Sequence, residues 1–209
     1  KRNPLGPALI AELCDAFTRA RDDAEVRVVI LTGAGKAFSA GGDLSQMGQA
    51  LKNGLTRSFV DLNLLQLLVE TASPTQQDVV LEVGTGLGSL TTILAARAAW
   101  VVTVEVDSQL AQLASEQFAE LNNVTQLCQD ALRNKNNLHP NVLAALATEL
   151  RKDPSHQLKL VANLPFNIAT PVLSNLLCLQ SPPSSMTVTI QKELADRITA
   201  QPRTKDYGA

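Results

Sequence analysis

The stretch VVLEVGTGLGSLT at residues 79–91 constrains this chain more than any other. Apolar residues run into Glu82 and Val83, glycines follow at 84, 86 and 88, and the spacing then turns helical. The pattern predicts a strand, a glycine-rich turn and a helix, a place where backbone comes close to a nucleotide-like ligand. A Cβ would block that approach, and such a turn requires positive φ, so glycine is the residue that fits. A glycine triplet can also be a plain turn, so what lies downstream decides between the two readings.

Downstream, strands and helices alternate. A helix is expected at 89–98, a strand at 100–105, a helix at 108–120 and a strand at 124–128. A polar stretch with a helix at 140–152 precedes a strand at 158–162, a helix at 170–179, a strand at 186–190 and a helix at 192–200. The implied fold class is α/β: a doubly wound, mainly parallel sheet with its ligand crevice at the carboxyl ends of the strands. With 45% hydrophobic and 18% charged residues, the 209-residue chain can bury one sizeable core plus an appendage. Aromatics are only 3%, so Leu, Val and Ala must fill that core. Glu82, Glu105, Asp130 and Asn163 all fall at or just beyond strand ends, on the edge where the crevice belongs. Glu105 lies 21 positions after Gly84, where an acid can accept both ribose hydroxyls of a nucleoside. Asp130 can join it there or cap the next helix.

Asn163-Leu164-Pro165-Phe166 is the discriminating motif. Pro165 stiffens the turn and holds the Asn amide oxygen and the preceding carbonyl as two fixed acceptors beside the ring of Phe166. Two acceptors and a stacking plane suit a planar base with an exocyclic amine. A turn with a core Phe is the alternative, and the glycine loop on the same sheet edge favours the base pocket.

Residues 58–209 resemble the ribosomal RNA adenine N6,N6-dimethyltransferase family. The resemblance rests on VLEVGTGLGSLT, VVTVEVD, QDAL, VANLPFNIATPVLSNLL and TIQKELADRITAQPRTKDYGA. It implies a Rossmann-like methyltransferase fold that uses S-adenosylmethionine, with Gly84 and Gly86 against the cofactor. It further implies Glu105 on the ribose hydroxyls, Asp130 on the adenine amine, and Glu82 and Phe59 at the cofactor site. Asn163 would stand between cofactor and target base, with Leu164 lending its carbonyl and Phe166 stacking. The implied reaction is direct displacement at the sulfonium methyl by N6 of a flipped adenine, driven mainly by alignment. The implied partner is ribosomal RNA in a small-subunit precursor, and the implied role is ribosome maturation. A resistance-type relative acting on large-subunit RNA fits the final motif less well.

The sequence departs from that family at Leu55-Thr56-Arg57-Ser58-Phe59, where a Gly-Gln-Asn-Phe-Leu-type cofactor lid is normal and only Phe59 is a tolerable match. The resemblance also implies that the last strands of the sheet and a small helical RNA-binding domain lie beyond residue 209. A net charge of −2 suits that reading, since no broad basic surface is present. Weak S-adenosylmethionine binding and poor RNA binding by this piece are the expectation.

Before the join the chain has its own logic. Leu9, Ile10, Leu13, Phe17 and Ala20 recur at helical spacing, and a β-branched run at 26–32 reads as a strand. The stretch NPLGPALIAELCDAFTRARDDAEVRVVILTGAGKAFSAGGDLSQM resembles the early part of an enoyl-CoA hydratase/isomerase (crotonase). The resemblance implies that the Gly42 N–H forms half of an oxyanion hole for a thioester carbonyl. The family's second donor and its catalytic acids have no convincing counterpart after Met47, which argues against a coenzyme A thioester ligand. The organisation expected is a crotonase-like fragment at 1–53, a join at 54–57 and the methyltransferase domain at 58–209. The rival functions are an acyl-CoA hydratase/isomerase and an inert fusion that retains only cofactor or RNA binding.

Cys14, Cys128 and Cys178 are far apart, and with only two histidines they make a metal site improbable. They point to the reduced cytoplasm. No apolar run reaches the roughly 18 residues of a membrane span.

Overall fold

The computed structural model describes residues 7–23, Val26 and residues 58–200. All of the expected strand at 26–32 beyond Val26, the Gly42 oxyanion position, the join at 54–57 and the side chain of Phe59 lie outside the described residues. Packing divides the described residues into two units. Leu68–Thr189 form one, and those within Lys1–Leu67 and Ile190–Ala209 form the other.

In the second of these, α1 (Pro7–Asp22) occupies the first helical repeat, and an exposed Arg19–Asp15 pair at 3.2 Å spans one of its turns. The same unit holds α7 (Lys192–Thr199), in which Lys192 and Asp196 pair at i,i+4 spacing. Helix α2 (Ser58–Ala72) ends just before Ser73-Pro74.

Unit 68–189 carries a five-stranded, wholly parallel sheet. Its strands are β1 (Asp78–Val83), β2 (Trp100–Glu105), β3 (Val124–Cys128), β6 (Gln157–Asn163) and β7 (Ser185–Thr189), in the order β3-β2-β1-β6-β7. Every residue of β1 is buried, and all of β2 after Trp100, because a central parallel strand is covered on both faces and tolerates a continuous apolar run. The outer strands β3 and β7 are only half-buried. Helices α3 (Ser89–Ala95), α4 (Ser108–Gln117), α5 (Pro140–Leu150) and α6 (Ala169–Leu177) make the crossovers. The chain moves outward from β1 to β3, then returns across the sheet to β6. With right-handed crossovers, that reversal puts α3 and α4 on one face and α5 and α6 on the other. The reversal point lies between β1 and β6, where the crevice of such a sheet opens. This is the doubly wound α/β sheet that the alternation predicted, and it is Rossmann-like, as the resemblance implies.

All four crossover helices end earlier than their sequence pattern suggests, the one expected to 179 at Leu177. The run expected at 89–98 stops at Ala95, where the amides of Arg97 and Ala98 both turn back to the Leu94 carbonyl. An alanine-rich stretch carries no stop signal for that turn. The helices expected to 120 and 152 end at Gln117 and Leu150. The polar stretch after Asp130 holds an unexpected antiparallel hairpin, β4 (Leu132–Asn134) with β5 (Asn137–Leu138). Asn134 closes it by accepting from the Asn136 amide at 2.9 Å and from Asn137 Nδ2 at 3.0 Å. Helix α5 then starts with Pro140 in its first turn, while His139 Nδ1 accepts from the Asn141 amide.

Candidate functional site

At the reversal point the two motifs that the sequence singled out meet. Gly84 leaves β1 with φ +89°, and a Cβ built there would stand 3.2 Å from Pro165 Cδ and 3.6 Å from the Asn163 carbonyl. The glycine loop therefore packs directly on the Asn-Leu-Pro-Phe turn, with the Gly84 amide donating to the Val104 carbonyl at 2.9 Å. A side chain at 84 would be strained and would push the turn away.

Gly86, at φ +55°, has the opposite surroundings: no atom lies within 4 Å of the Cβ it lacks. That open space is what a ligand against the loop would fill. The Gly86 amide donates to Glu105 Oε2 at 2.9 Å, and the Asp107 amide donates to Glu105 Oε1 at 3.0 Å. Glu105 is thus clamped at the end of β2 with a lone pair left on each oxygen, suited to a pair of hydroxyl donors. Asp107 in turn caps α4 through the Gln109 and Leu110 amides. Val106 and Leu87 flank this corner as exposed apolar side chains.

Asp130 is exposed beyond β3 and accepts from the Leu132 amide at 2.8 Å. That bond shapes the entry to the hairpin rather than capping a helix, and the other carboxylate oxygen stays available. On the far side of the crevice Asn163 is the last residue of β6 and is exposed. Leu164 is buried, and its carbonyl takes no hydrogen bond from any described residue. The Ile168 amide closes the turn on the Pro165 carbonyl at 3.1 Å, and Phe166 stands 63% exposed. A ring that large in solvent is not a core Phe, so the alternative of a plain turn with a core aromatic does not describe this segment.

Glu82 is placed differently from the other acids. It is fully buried, and its Oε2 accepts from Thr91 Oγ1 at 2.6 Å and Thr103 Oγ1 at 2.7 Å. Thr103 also shares a hydrogen bond with Thr85 of the glycine loop at 2.6 Å. Oε1 is buried with no partner among the described residues. Burial raises the carboxyl from its ordinary 4.5 to about 7; the two hydroxyl donors oppose the rise and the nearby Glu105 charge adds to it. The three threonines were not nominated from sequence, because Thr in a strand or helix start reads as local propensity rather than as part of a hydrogen-bonded chain.

Comparisons with families, with individual relatives and with solved structures bear on this crevice. The profile of the ribosomal RNA adenine dimethylase family matches residues 51–209, about three-quarters of the chain. The chain belongs to that family. The enoyl-CoA hydratase/isomerase profile matches residues 1–79, so the crotonase-like resemblance is also present and the two matches overlap. The Streptococcus pneumoniae (strain CGSP14) protein "Ribosomal RNA small subunit methyltransferase A" is 40% identical over 167 residues, 79% of this chain and 55% of its own length. The counterpart in strain D39 is 39% identical over the same shares. The chain thus spans about half the length of the curated relatives it matches. The fold is shared with a dimethyladenosine transferase from Plasmodium falciparum, at TM-score 0.55 and 24% identity over 69% of this chain and 46% of that one.

Members of the adenine dimethylase family use S-adenosylmethionine, and the crevice fits such a molecule on its own geometry. It offers open space at Gly86, a carboxylate clamped at the end of β2 in Glu105, and in Glu82 Oε1 a buried carboxyl oxygen with no partner among the described residues. No helix among the described residues is long and apolar enough to cross a membrane.

Proposed function

We propose that this chain belongs to an enzyme that dimethylates N6 of adenines in small-subunit ribosomal RNA during ribosome maturation. The observation that carries the reading is the packing of Gly84 against Pro165, which sets a nucleoside cradle beside two acceptors and an exposed aromatic ring.

S-adenosylmethionine, when bound, supplies a methyl group on a sulfonium centre. Gly84 and Gly86 give it backbone to lie against, Glu105 takes the ribose hydroxyls and Asp130 takes the adenine amine. The family resemblance adds Phe59 as an apolar cover, and the Glu82 network holds the loop that bears these contacts. The adenine to be methylated must leave its stack to reach the crevice. Its exocyclic amine is a poor nucleophile, because the nitrogen lone pair is delocalised into the ring. Asn163 Oδ1 and the Leu164 carbonyl, accepting one hydrogen each, favour a pyramidal nitrogen with a localised lone pair. Phe166 stacks on the ring and fixes its plane. Orientation of this kind accounts for most of the rate in a reaction without a covalent enzyme intermediate. The RNA partner and a cytoplasmic site of action belong to the same proposal.

The match of residues 1–79 to the enoyl-CoA hydratase/isomerase profile supports one rival, in which the Gly42 amide polarises a thioester. Calorimetric titration of the chain with S-adenosylmethionine and with an acyl-CoA separates the two. Binding of S-adenosylmethionine with no heat from acyl-CoA is expected; tighter binding of acyl-CoA overturns the proposal.

A further inference from the structure

The side chain of Asn163 has one partner among the described residues, and it was not nominated from sequence. Thr189 Oγ1 donates a hydrogen bond to Asn163 Oδ1. The two residues end neighbouring parallel strands and face each other in register, Asn163 on β6 opposite Thr189 on β7. We infer that Thr189 is a positioning residue that sets the Asn163 amide for its acceptor role, an inference that rests on the methyltransferase reading above.

An exposed Asn at a strand exit can rotate about its last torsion, and its oxygen and nitrogen then exchange places. Such an exchange would present amide hydrogens where an acceptor is required, and two donors facing each other would repel an adenine amine. The Thr189 hydroxyl donates to the oxygen and so supports the orientation with Oδ1 towards β7. A carbonyl oxygen has two lone pairs, so one remains for a second donor while Thr189 occupies the other. The hydroxyl sits on a β-branched residue, whose χ1 is restricted in a strand, and the register fixes its reach. Asn163 and Leu164 thus differ in how they are held. The Leu164 carbonyl is fixed by backbone, whereas the Asn163 oxygen depends on a side chain from the next strand.

The proposal concerns one hydroxyl, so the test uses Thr189→Val, which keeps shape and β-branching, and Thr189→Ser, which keeps the hydroxyl. In transfer of labelled methyl from S-adenosylmethionine to small-subunit RNA, Thr189→Val is expected to lower kcat about tenfold and leave the KM for S-adenosylmethionine unchanged. Thr189→Ser should stay within about twofold of wild type. A second readout does not depend on turnover. The side-chain amide resonances of Asn163, assigned by their loss in Asn163→Ala, should shift and broaden in Thr189→Val and return in Thr189→Ser. Unchanged Asn163 resonances in Thr189→Val overturn the proposal, as does a valine variant with wild-type kcat. A wild-type chain that transfers no methyl counts against the parent reading instead, and the resonances then decide the role of Thr189 alone.

Discussion

At Gly84 and Gly86 the same substitution is expected to do two different things. Gly84→Ala places a Cβ 3.2 Å from Pro165 at φ +89°, so strain and a displaced turn add together. A left-handed residue alone costs about 1–2 kcal/mol, and unfolding in urea should show at least that loss. Gly86→Ala carries the strain without the clash, since nothing lies within 4 Å. It should cost less stability yet weaken S-adenosylmethionine binding as much or more, because its methyl enters the space a ligand needs. Equal stability losses would mean that Pro165 yields freely. For Asn163→Ala the expectation is lost methyl transfer with an unchanged melting midpoint, since the side chain is exposed and bonded only to Thr189 among the described residues. Retained transfer would refute its role. The glycines, Glu105 and Asn163 were legible because each stands at a fixed offset from a strand end. Glu82 was legible as an acid near the edge but not as a buried one, since burial is decided by Thr91 and Thr103, 9 and 21 residues away. Thr189 was not legible, because a register between strands 26 residues apart leaves no local mark in the chain.

At the scale of elements, the sheet was read almost strand for strand, because its strands are short, largely apolar runs bounded by polar or turn-prone stretches. The hairpin β4–β5 was missed: two and three residues are too few for any period to show. One connection in the fold also runs against its sequence pattern. Lys159 lies within β6, yet its ammonium pairs with the buried Asp78 of β1 at 3.0 Å. It also donates to the Ala72 and Ser73 carbonyls at the end of α2, at 3.1 and 3.2 Å. Asp78 accepts in addition from the Thr75 amide and hydroxyl at 2.7 and 2.9 Å. A cation at a helix C-terminus and an acid at the strand start thus tie the α2–β1 connection to the sheet. Lys159→Met keeps the length of the stem but strands the Asp78 carboxylate and two helix-end carbonyls. Removing one partner of a buried pair costs roughly 3 kcal/mol, visible as a lower urea midpoint. A midpoint within experimental error of wild type would show that water replaces the ammonium.

For the molecule as a whole, the fold of unit 68–189 and the family were readable, and the expected join at 54–57 falls inside the overlap of the two resemblances. Profile matches at 1–79 and 51–209 overlap across α2. Helical spacing over 58–72 satisfies either neighbour, because an apolar stripe specifies burial and not the identity of what buries it. The global consequence of the site's construction is a pH dependence of stability. Glu82 holds its proton up to about pH 7 in the folded protein, against an ordinary 4.5, chiefly because it is buried. Below pH 4.5 both states are protonated and the difference vanishes. Between 4.5 and 7 the unfolded chain releases a proton that the native protein keeps, so the native state binds more protons and stability falls as pH rises. Above 7 the full loss is present, on the order of 3 kcal/mol. Glu82→Gln keeps a neutral group of the same shape that can still accept from Thr91 and Thr103. The variant should therefore lose this descent while keeping the contributions of every other titrating group, and wild type minus variant isolates Glu82. The single tryptophan, Trp100, opens β2 and reports the unfolding of the sheet by fluorescence. Urea unfolding at pH 5 and pH 8 should show the wild type losing stability relative to Glu82→Gln across that interval. A constant difference between the two proteins would mean that Glu82 is ionised throughout, with Oε1 held by a partner that stabilises its charge.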